Sequence, residues 1–406
     1  MQLIPGGVCA ARGFSAGGLH CGLKKAKNDL AIITSTVPAV AAAVYTRNVV
    51  KAAPLHISKQ HLADGTLSAV VVNSGNANAC APQGEENALA MCACTAEALG
   101  IPVDQVAVAS TGVIGVSMTP KMDLVQAGIA TLSQALSADA TGSDAAAKAI
   151  MTTDLTQKEA AVAVSLGGKT VHIGGITKGS GMIHPNMGTM LCFLTTDAAI
   201  DGALLDRALK HAVDHSFNRI SVDGDSSTND FALILANGAA KNPEIRAEDT
   251  DYTAFLAALT DLCVYLARMI AADGEGATHL ITCTVKNAPD EETATVIAKS
   301  VIASSLVKAA IFGKDANGSR ILCAGGYSGV DFHPARNSIS FASEAGEVLV
   351  CEHGRGLSFD EDLALQVLTP HEIEIRVDMA AGDASSICWG CDLTYDYVQI
   401  NGAYRT

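Results

Sequence analysis

Aromatic residues are scarce, at 4% of the 406 residues with a single Trp, and charged residues reach only 17%. The apolar half of the chain is built mainly from Ala and Val, which is enough to bury a large core across two or three subdomains. No run approaches the ~20 consecutive apolar residues of a membrane-crossing helix, which excludes a spanning reading. The opening Met1-Gln2-Leu3-Ile4-Pro5 has no basic stretch followed by an apolar one, so no secretory leader is expected and the cytoplasm is the expected location. Basic residues are outnumbered 27 to 42, for a net charge of −15. That balance opposes a phosphate backbone, and pairs such as Lys24-Lys25 are too short to make a basic stripe, so nucleic acid is excluded as a partner. A few local cations can still hold a carboxylate inside an acidic protein. Internal repeats, low-complexity tracts and long linkers are also lacking. Cysteine is not: twelve are scattered through the chain, a distribution that predicts reduced, buried thiols rather than a disulfide framework.

The pattern of what is present alternates strands and helices. Residues 29–35 and 39–48 read as two buried strands, and 68–80 as a β-branched strand running into a loop crowded with Asn and Gly, with a helix over 85–99. Residues 106–115 repeat that logic, an apolar strand stopping at Ser110-Thr111-Gly112, where small residues expose backbone amides. Helices follow over 122–136 and 145–151, then a hairpin over 160–176 turning at Gly167-Gly168. Beyond residue 189 the pattern gives a strand, a helix over 202–217, two strands flanking a polar turn within 220–237, a helix over 252–270, a strand over 279–286, and a helix over 291–312. These alternating elements predict a layered α/β or α+β fold, with a C-terminal subdomain at about 280–406.

The segment 177–198 stands apart. Lys178, Gly179, Gly181, Pro185 and Asn186 crowd the entrance to an apolar run, the punctuation of a constrained turn. At its end Gly188 precedes Thr189, a pairing in which a residue without a side chain lets a hydroxyl approach the preceding carbonyl. By composition alone this is a tight turn into a strand.

The run from Lys178 to Leu191 resembles the hallmark of the ornithine acetyltransferase family, Lys-Gly-Ser-Gly-Met-Ile, any residue, then Pro-Asn-Met-Ala-Thr-Met-Leu. One position departs, Gly188 standing where the family has Ala. The segments GFSAGGLHCGLKKAKNDLAII, VVNSGNANAC, STGVIG, IMTTD, DGDSSTNDF, GEGATHLI and GCDLTYDYVQINGAYRT are similar to family blocks and occur in family order. The resemblance implies an αββα-type layered fold and cleavage between Gly188 and Thr189, giving an α fragment of residues 1–188 and a β fragment of 189–406. Thr189 is then the nucleophile and its new α-amine the local base, because a free α-amine titrates near ~7.7–8.0. Thr111 and Gly112 match the oxyanion-hole pair. Substrate contacts fall on Thr152, with Thr153 as an adjacent candidate, and on Lys178, Thr189, Glu275, Asn401 and Thr406. Lys178 suits an α-carboxylate and Glu275 a δ-ammonium. The implied reaction moves acetyl from N-acetylornithine to glutamate in arginine synthesis, without metal or organic cofactor, in an α2β2 heterotetramer, with acetyl-CoA as a possible second donor. The same machinery on a related fold would serve a self-processed aminopeptidase or amidohydrolase, and a decayed scaffold would be an interaction protein. His184 takes no role. Cys388-Trp389-Gly390-Cys391 has redox spacing but reads as structural, and Asp223, Asp225 and Asp230 read as a hydrogen-bonded turn near the cleft rather than a calcium loop, since no Glu closes it.

Overall fold

The computed structural model describes residues 2–184 and 190–403. Nine strands share one hydrogen-bonded sheet, made of β1 (Leu3–Ile4), β2 (Phe14–Leu19), β3 (Leu30–Tyr45), β4 (Thr66–Asn76), β5 (Val106–Val113), β6 (Lys158–Leu166), β7 (Lys169–Lys178), β8 (Leu191–Thr196) and, after β9 (Ile220–Ser221) has left for another sheet, β10 (Phe231–Ala236). Their order is β1-β6-β7-β8-β10-β3-β4-β5, with β2 also paired to β3.

The alternation of side chains shows that this sheet folds back on itself. On β4 and β5, Val70, Val72, Ala107 and Ala109 share a core with Phe193, Phe231, Leu233 and Leu235 of β8 and β10. The intervening residues turn the other way: Val71, Val106 and Val108 meet helices α2 (Gly84–Leu99) and α3 (Met122–Ser133). Cys192, Leu194, Ala232 and Ile234 likewise meet α5 (Gly202–Asp214) and α6 (Thr250–Ala272). Strands that are apolar on both faces are what a sheet covered on both sides requires. The result is helix, sheet, sheet, helix, the αββα arrangement that the resemblance implied. Between the sheets Phe231 stacks on Tyr45 at a centroid distance of 5.1 Å and meets Phe193 edge-on at 6.1 Å.

One sequence expectation is corrected here. Residues 29–35 and 39–48 are not separate strands but the two halves of β3, which crosses from one layer to the other. Its first half pairs with β2 and β4 and its second with β10, with a register shift between Thr34 and Ala39 and exposed Thr36, Val37 and Pro38 at the crossing. The expected hairpin at Gly167-Gly168 forms, with φ of 53° and 74° at the two glycines.

The helices start where short acidic side chains cap them. Asp139 before α4 (Ala140–Ile150), Asp201 before α5 and Asp249 before α6 each accept a hydrogen bond from a first-turn amide. Helix α6 has the length and apolar content of a membrane-crossing helix. Its Phe255, Leu259, Leu262, Leu266 and Ile270 pack in one cluster with Val162, Ile173 and Leu194 of the sheet.

A second sheet of seven strands runs β14-β13-β12-β15-β11-β16-β9, from β11 (Leu280–Ala288), β12 (Ser338–Ser343), β13 (Gly346–Glu352), β14 (Arg355–Gly356), β15 (Glu372–Asp378) and β16 (Ala384–Cys391). Its own core joins Ile281, Val285, Phe341 and Ile375 to Ile297 and Val301 of α7 (Glu291–Ala303). Two further corrections arise here. The strands read within 220–237 are β9 and β10, which belong to different sheets, so the polar turn between them bridges the sheets instead of closing a hairpin. The helix read over 291–312 is two, α7 and α8 (Ser305–Phe312), bent by 58°. Ser304 sits at the bend and caps α8 by accepting from the Val307 amide. All twelve cysteines carry free thiols; Cys388 lies opposite Cys283 across β16 and β11, both fully buried.

If the contact between layers holds the fold, Phe231→Ala will lower unfolding stability by about 3–5 kcal/mol, the usual cost of emptying a buried aromatic site. Denaturant titration of the purified protein measures this; a loss below ~1 kcal/mol would mean that the layers do not depend on this contact.

Candidate active site

Strand ends from both layers open into one cleft of about 130 Å³, lined by Thr111, Gly112, Thr152, Thr153, Lys178, Gly181, Asp223, Asn229, Glu275, Tyr397 and Asn401, among others. A small adjoining space reaches Met190, Leu191 and Asp230. Of the residues singled out from sequence, Thr111, Gly112, Thr152, Thr153, Lys178, Glu275 and Asn401 are brought together; Gly188, Thr189 and Thr406 lie outside the described residues. Met190, next to Thr189 in sequence, accepts from the Phe231 amide at 2.9 Å, and Leu191 pairs with Lys178 across β7 and β8.

Thr111 and Gly112 end β5 in register with Ser74 and Gly75 of β4. Gly112 has φ of 128°, and a Cβ there would lie 2.5 Å from the Gly75 carbonyl carbon, so both its conformation and the approach of β4 demand glycine. Asparagines at the end of β4 and in the loop after it tie down the backbone beside the cleft. The Asn73 amide group donates to the Asn76 carbonyl at 2.8 Å, Asn76 Nδ2 to the Val116 carbonyl at 3.0 Å, and Asn78 Nδ2 to the Gly84 carbonyl at 2.7 Å. Asn229, from the bridging turn, donates to the carbonyls of Ala77 and Ser110 at 2.6 and 2.8 Å, and so pins the turn to the β5 end. Buried backbone acceptors find partners here in side-chain amides, because no strand continues to supply them.

Lys178 is buried at the end of β7 and donates to Thr111 Oγ1 at 3.4 Å. Burial holds its pKa below the ordinary lysine value, against the opposing pull of Asp154. A hydroxyl that accepts from an ammonium has its own proton free to donate, which makes Thr111 a polarised donor facing the cleft. Glu275 lies across from it, its carboxylate against Gly181, where a Cβ would collide with it, and Asn401 Nδ2 donates to Glu275 Oε2 at 2.7 Å. Asn401 belongs to α11 (Tyr395–Ala403), whose Tyr397 hydroxyl reaches Asp223 at 3.3 Å. Asp223 also accepts from the amides of Met182 and Ile183 at 2.6 and 2.8 Å. The acidic turn thus ties α11 to the segment after Lys178. Asp230 is buried and its carboxyl is pushed well above the usual carboxylate range by that burial, with Oδ2 unpartnered among the described residues.

Sequence reasoning missed Tyr397, Asn229 and a buried ion group behind the cleft, Asp154, Lys158 and Asp273. The four-residue spacing of Asp154 and Lys158 was a signal, but such pairs are mostly surface features. Chemically, the cleft offers a hydroxyl and a strand-end backbone amide side by side, a buried ammonium next to them and a buried carboxylate opposite. That set suits a small molecule carrying one carboxylate and one ammonium.

The comparisons with known proteins agree on one assignment. The ArgJ family profile matches residues 15–406. The arginine biosynthesis bifunctional protein ArgJ of Symbiobacterium thermophilum is 50% identical over 410 residues, covering 100% of both chains. Its counterpart in Listeria monocytogenes is 47% identical over 409 residues, again with 100% of both covered. Among solved structures, the arginine biosynthesis bifunctional protein argJ of Bacillus halodurans is 41% identical with a TM-score of 0.50, and 52% of this chain covers 98% of that one. With a profile match and identities of this order running over its whole length, the chain belongs to the ArgJ family.

Proposed function

We propose that the protein is a glutamate N-acetyltransferase that moves acetyl from N-acetylornithine to glutamate by double displacement in arginine biosynthesis. The observation that carries this reading is the cleft itself: the Lys178 ammonium, in contact with Thr111, and the Glu275 carboxylate line the same space as Thr111 and Gly112. N-acetylornithine presents the complementary groups, an α-carboxylate for Lys178 and a δ-ammonium for Glu275, with its acetyl amide left to reach the hydroxyl and backbone amide.

The chain is cut between Gly188 and Thr189, and the freed Thr189 amine takes the proton of its own hydroxyl as that oxygen attacks the acetyl carbonyl. The Thr111 hydroxyl and Gly112 amide receive the oxyanion, and the Thr189 ammonium gives its proton to the ornithine nitrogen as the C–N bond breaks; the glutamate amine then attacks the acetyl ester, the ester C–O bond breaks, the Thr189 oxygen regains a proton and N-acetylglutamate leaves. Support for cleavage comes from the solved relative, whose chain is matched almost entirely by about half of this one, the size of a single fragment. The fragments 1–188 and 189–406 then remain associated, because β7 and β8 lie on either side of the cut and pair from Ile173–Thr196 to Lys178–Leu191. Thr152, Asn401 and Thr406 complete the substrate contacts, Thr153 standing beside Thr152 in the lining. We assign the assembly as a cytoplasmic α2β2 heterotetramer, with residues from about 280 as a C-terminal subdomain. The bifunctional naming of the relatives supports acetyl-CoA as a second acetyl donor. A self-processed aminopeptidase would pass the acyl group to water instead.

Mixing the protein with N-acetylornithine and quenching in acid is expected to leave the fragment that begins at Thr189 heavier by one acetyl group. Added glutamate discharges it to N-acetylglutamate, while Thr189→Ala stays uncut and unlabelled. Loss of the label to water at a rate indifferent to glutamate would establish the hydrolase instead.

Thr111→Ala is expected to lower kcat by about 100-fold or more with a smaller change in KM, since an oxyanion donor acts in the transition state. Thr111→Ser, which keeps the hydroxyl, should recover most of the rate. Steady-state kinetics of both variants decide it, and equal turnover in Thr111→Ala and the parent would remove Thr111 from the site.

A further inference from the structure

Behind the cleft lies a chain of alternating buried charges. Lys158 is fully buried, and its ammonium donates to Asp154 Oδ1 at 2.7 Å, to Asp273 Oδ2 at 2.6 Å and to the Thr156 carbonyl at 3.1 Å, so all three of its protons are engaged. Asp154 is 1% exposed and ties together the segments that carry the cleft residues. Its Oδ2 accepts from the Thr152 amide at 2.9 Å and its Oδ1 from the Gly179 amide at 2.7 Å, the residue after Lys178. Asp273 extends the same frame towards Glu275: its carbonyl accepts from Ser180 Oγ at 2.7 Å, and the Glu275 amide donates to the Ser180 carbonyl at 3.0 Å. The order of charge is Asp273, Lys158, Asp154, Lys178, negative and positive in turn.

Lys178 differs from Lys158 in one respect. Among the described residues its ammonium makes a single polar contact, with Thr111 Oγ1, and no ion pair. A buried ammonium with unused protons beside a buried carboxylate would ordinarily close onto it, because an unpaired buried charge is costly. Asp154 is instead already engaged by Lys158.

We propose that Lys158 is a positioning residue for substrate recognition: by occupying Asp154 it keeps the ammonium of Lys178 free to face the carboxylate shared by N-acetylornithine and glutamate. The inference rests on the carboxylate-binding role assigned to Lys178 above. In Lys158→Met, Asp154 loses its partner and draws Lys178 to itself, so both substrates lose their anchor while the acyl-transfer groups stay in place.

The test is steady-state kinetics with both substrates on the purified, cleaved protein. Lys158→Met is expected to raise KM for N-acetylornithine and for glutamate by about tenfold or more, with kcat changing less. Removing the competing carboxylate as well, in Asp154→Asn/Lys158→Met, is expected to bring both KM values back to within about threefold of the parent, and Lys158→Arg to stay within the same range. Asp273→Asn leaves Lys158 to Asp154 alone, and its KM values should not exceed those of the parent. An unchanged KM in Lys158→Met, a double variant as impaired as the single one, or an Asp273→Asn variant as impaired as Lys158→Met would each overturn the proposal and reduce the charges to a scaffold. Should Lys158→Met fail to fold, the double variant decides alone: KM values within about threefold of the parent support the proposal, and values raised about tenfold or more overturn it. Lys178→Met separates the underlying reading: if it transfers acetyl with KM values unchanged, the carboxylate role of Lys178 has fallen, whatever Lys158 does.

Discussion

The contact between the inner faces of the two sheet layers is the constraint on which the rest of the structure depends. Phe193, Phe231, Leu233 and Leu235 from one layer interdigitate with Val70, Val72, Ala107 and Ala109 from the other. With so few aromatics available, one layer supplies the bulk and the other supplies small side chains against which it can close. Burial of that surface is the non-directional part of the stability. The directional part is β3, which belongs to both layers and fixes how one lies on the other. Because the layers are held face to face, the end of β5 and the end of β7 come together, and Lys178 of one reaches Thr111 of the other.

A cleft built from strand ends leaves backbone carbonyls and amides without ladder partners, and the protein answers with side-chain amides. Asn73, Asn76, Asn78 and Asn229 supply donors to carbonyls beside the cleft, and Asp223 and Asp154 supply acceptors to amides at the wall. Such a lattice is worth keeping only if it is complete, since each unmet buried group costs about 1–3 kcal/mol. It also fixes side chains in orientation, which apolar packing alone does not do. The small residues have the complementary function: Gly112 lets β4 approach β5, and Gly181 lets the Glu275 carboxylate sit against the backbone.

Charge in this protein is sparse and mostly acidic, and its placement follows a division of labour. On the surface, aspartates cap helices, as Asp139, Asp201 and Asp249 do. Behind the cleft, Asp154 and Asp273 are buried with Lys158 between them. Burial would raise the Asp154 carboxyl, but Lys178 and Lys158 hold it below the usual carboxylate range, so it stays charged. The same burial lowers Lys178, and the balance of these neighbours rather than the net charge of the chain sets what the cleft can bind.

The sequence by itself determined the elements and their chemistry. Apolar runs such as 69–72 and 191–194 read as strands covered on both faces, Gly167-Gly168 read as the turn of a hairpin, and the run from Lys178 to Leu191 pointed to the family and the candidate nucleophile. These properties are local: side-chain periodicity and backbone freedom are written within a few neighbouring residues. Tertiary structure alone decided that residues 30–45 are one strand shared by two layers, that β9 and β10 part to different sheets, and that the helix read over 291–312 bends at Ser304. It also decided that Lys158, whose spacing from Asp154 suggests no more than a surface pair, lies fully buried between Asp154 and Asp273, a residue 115 positions away. The physical reason is the same in each case: what a side chain faces once two layers close is set by partners far away in the chain, and no pattern within a single segment carries their position.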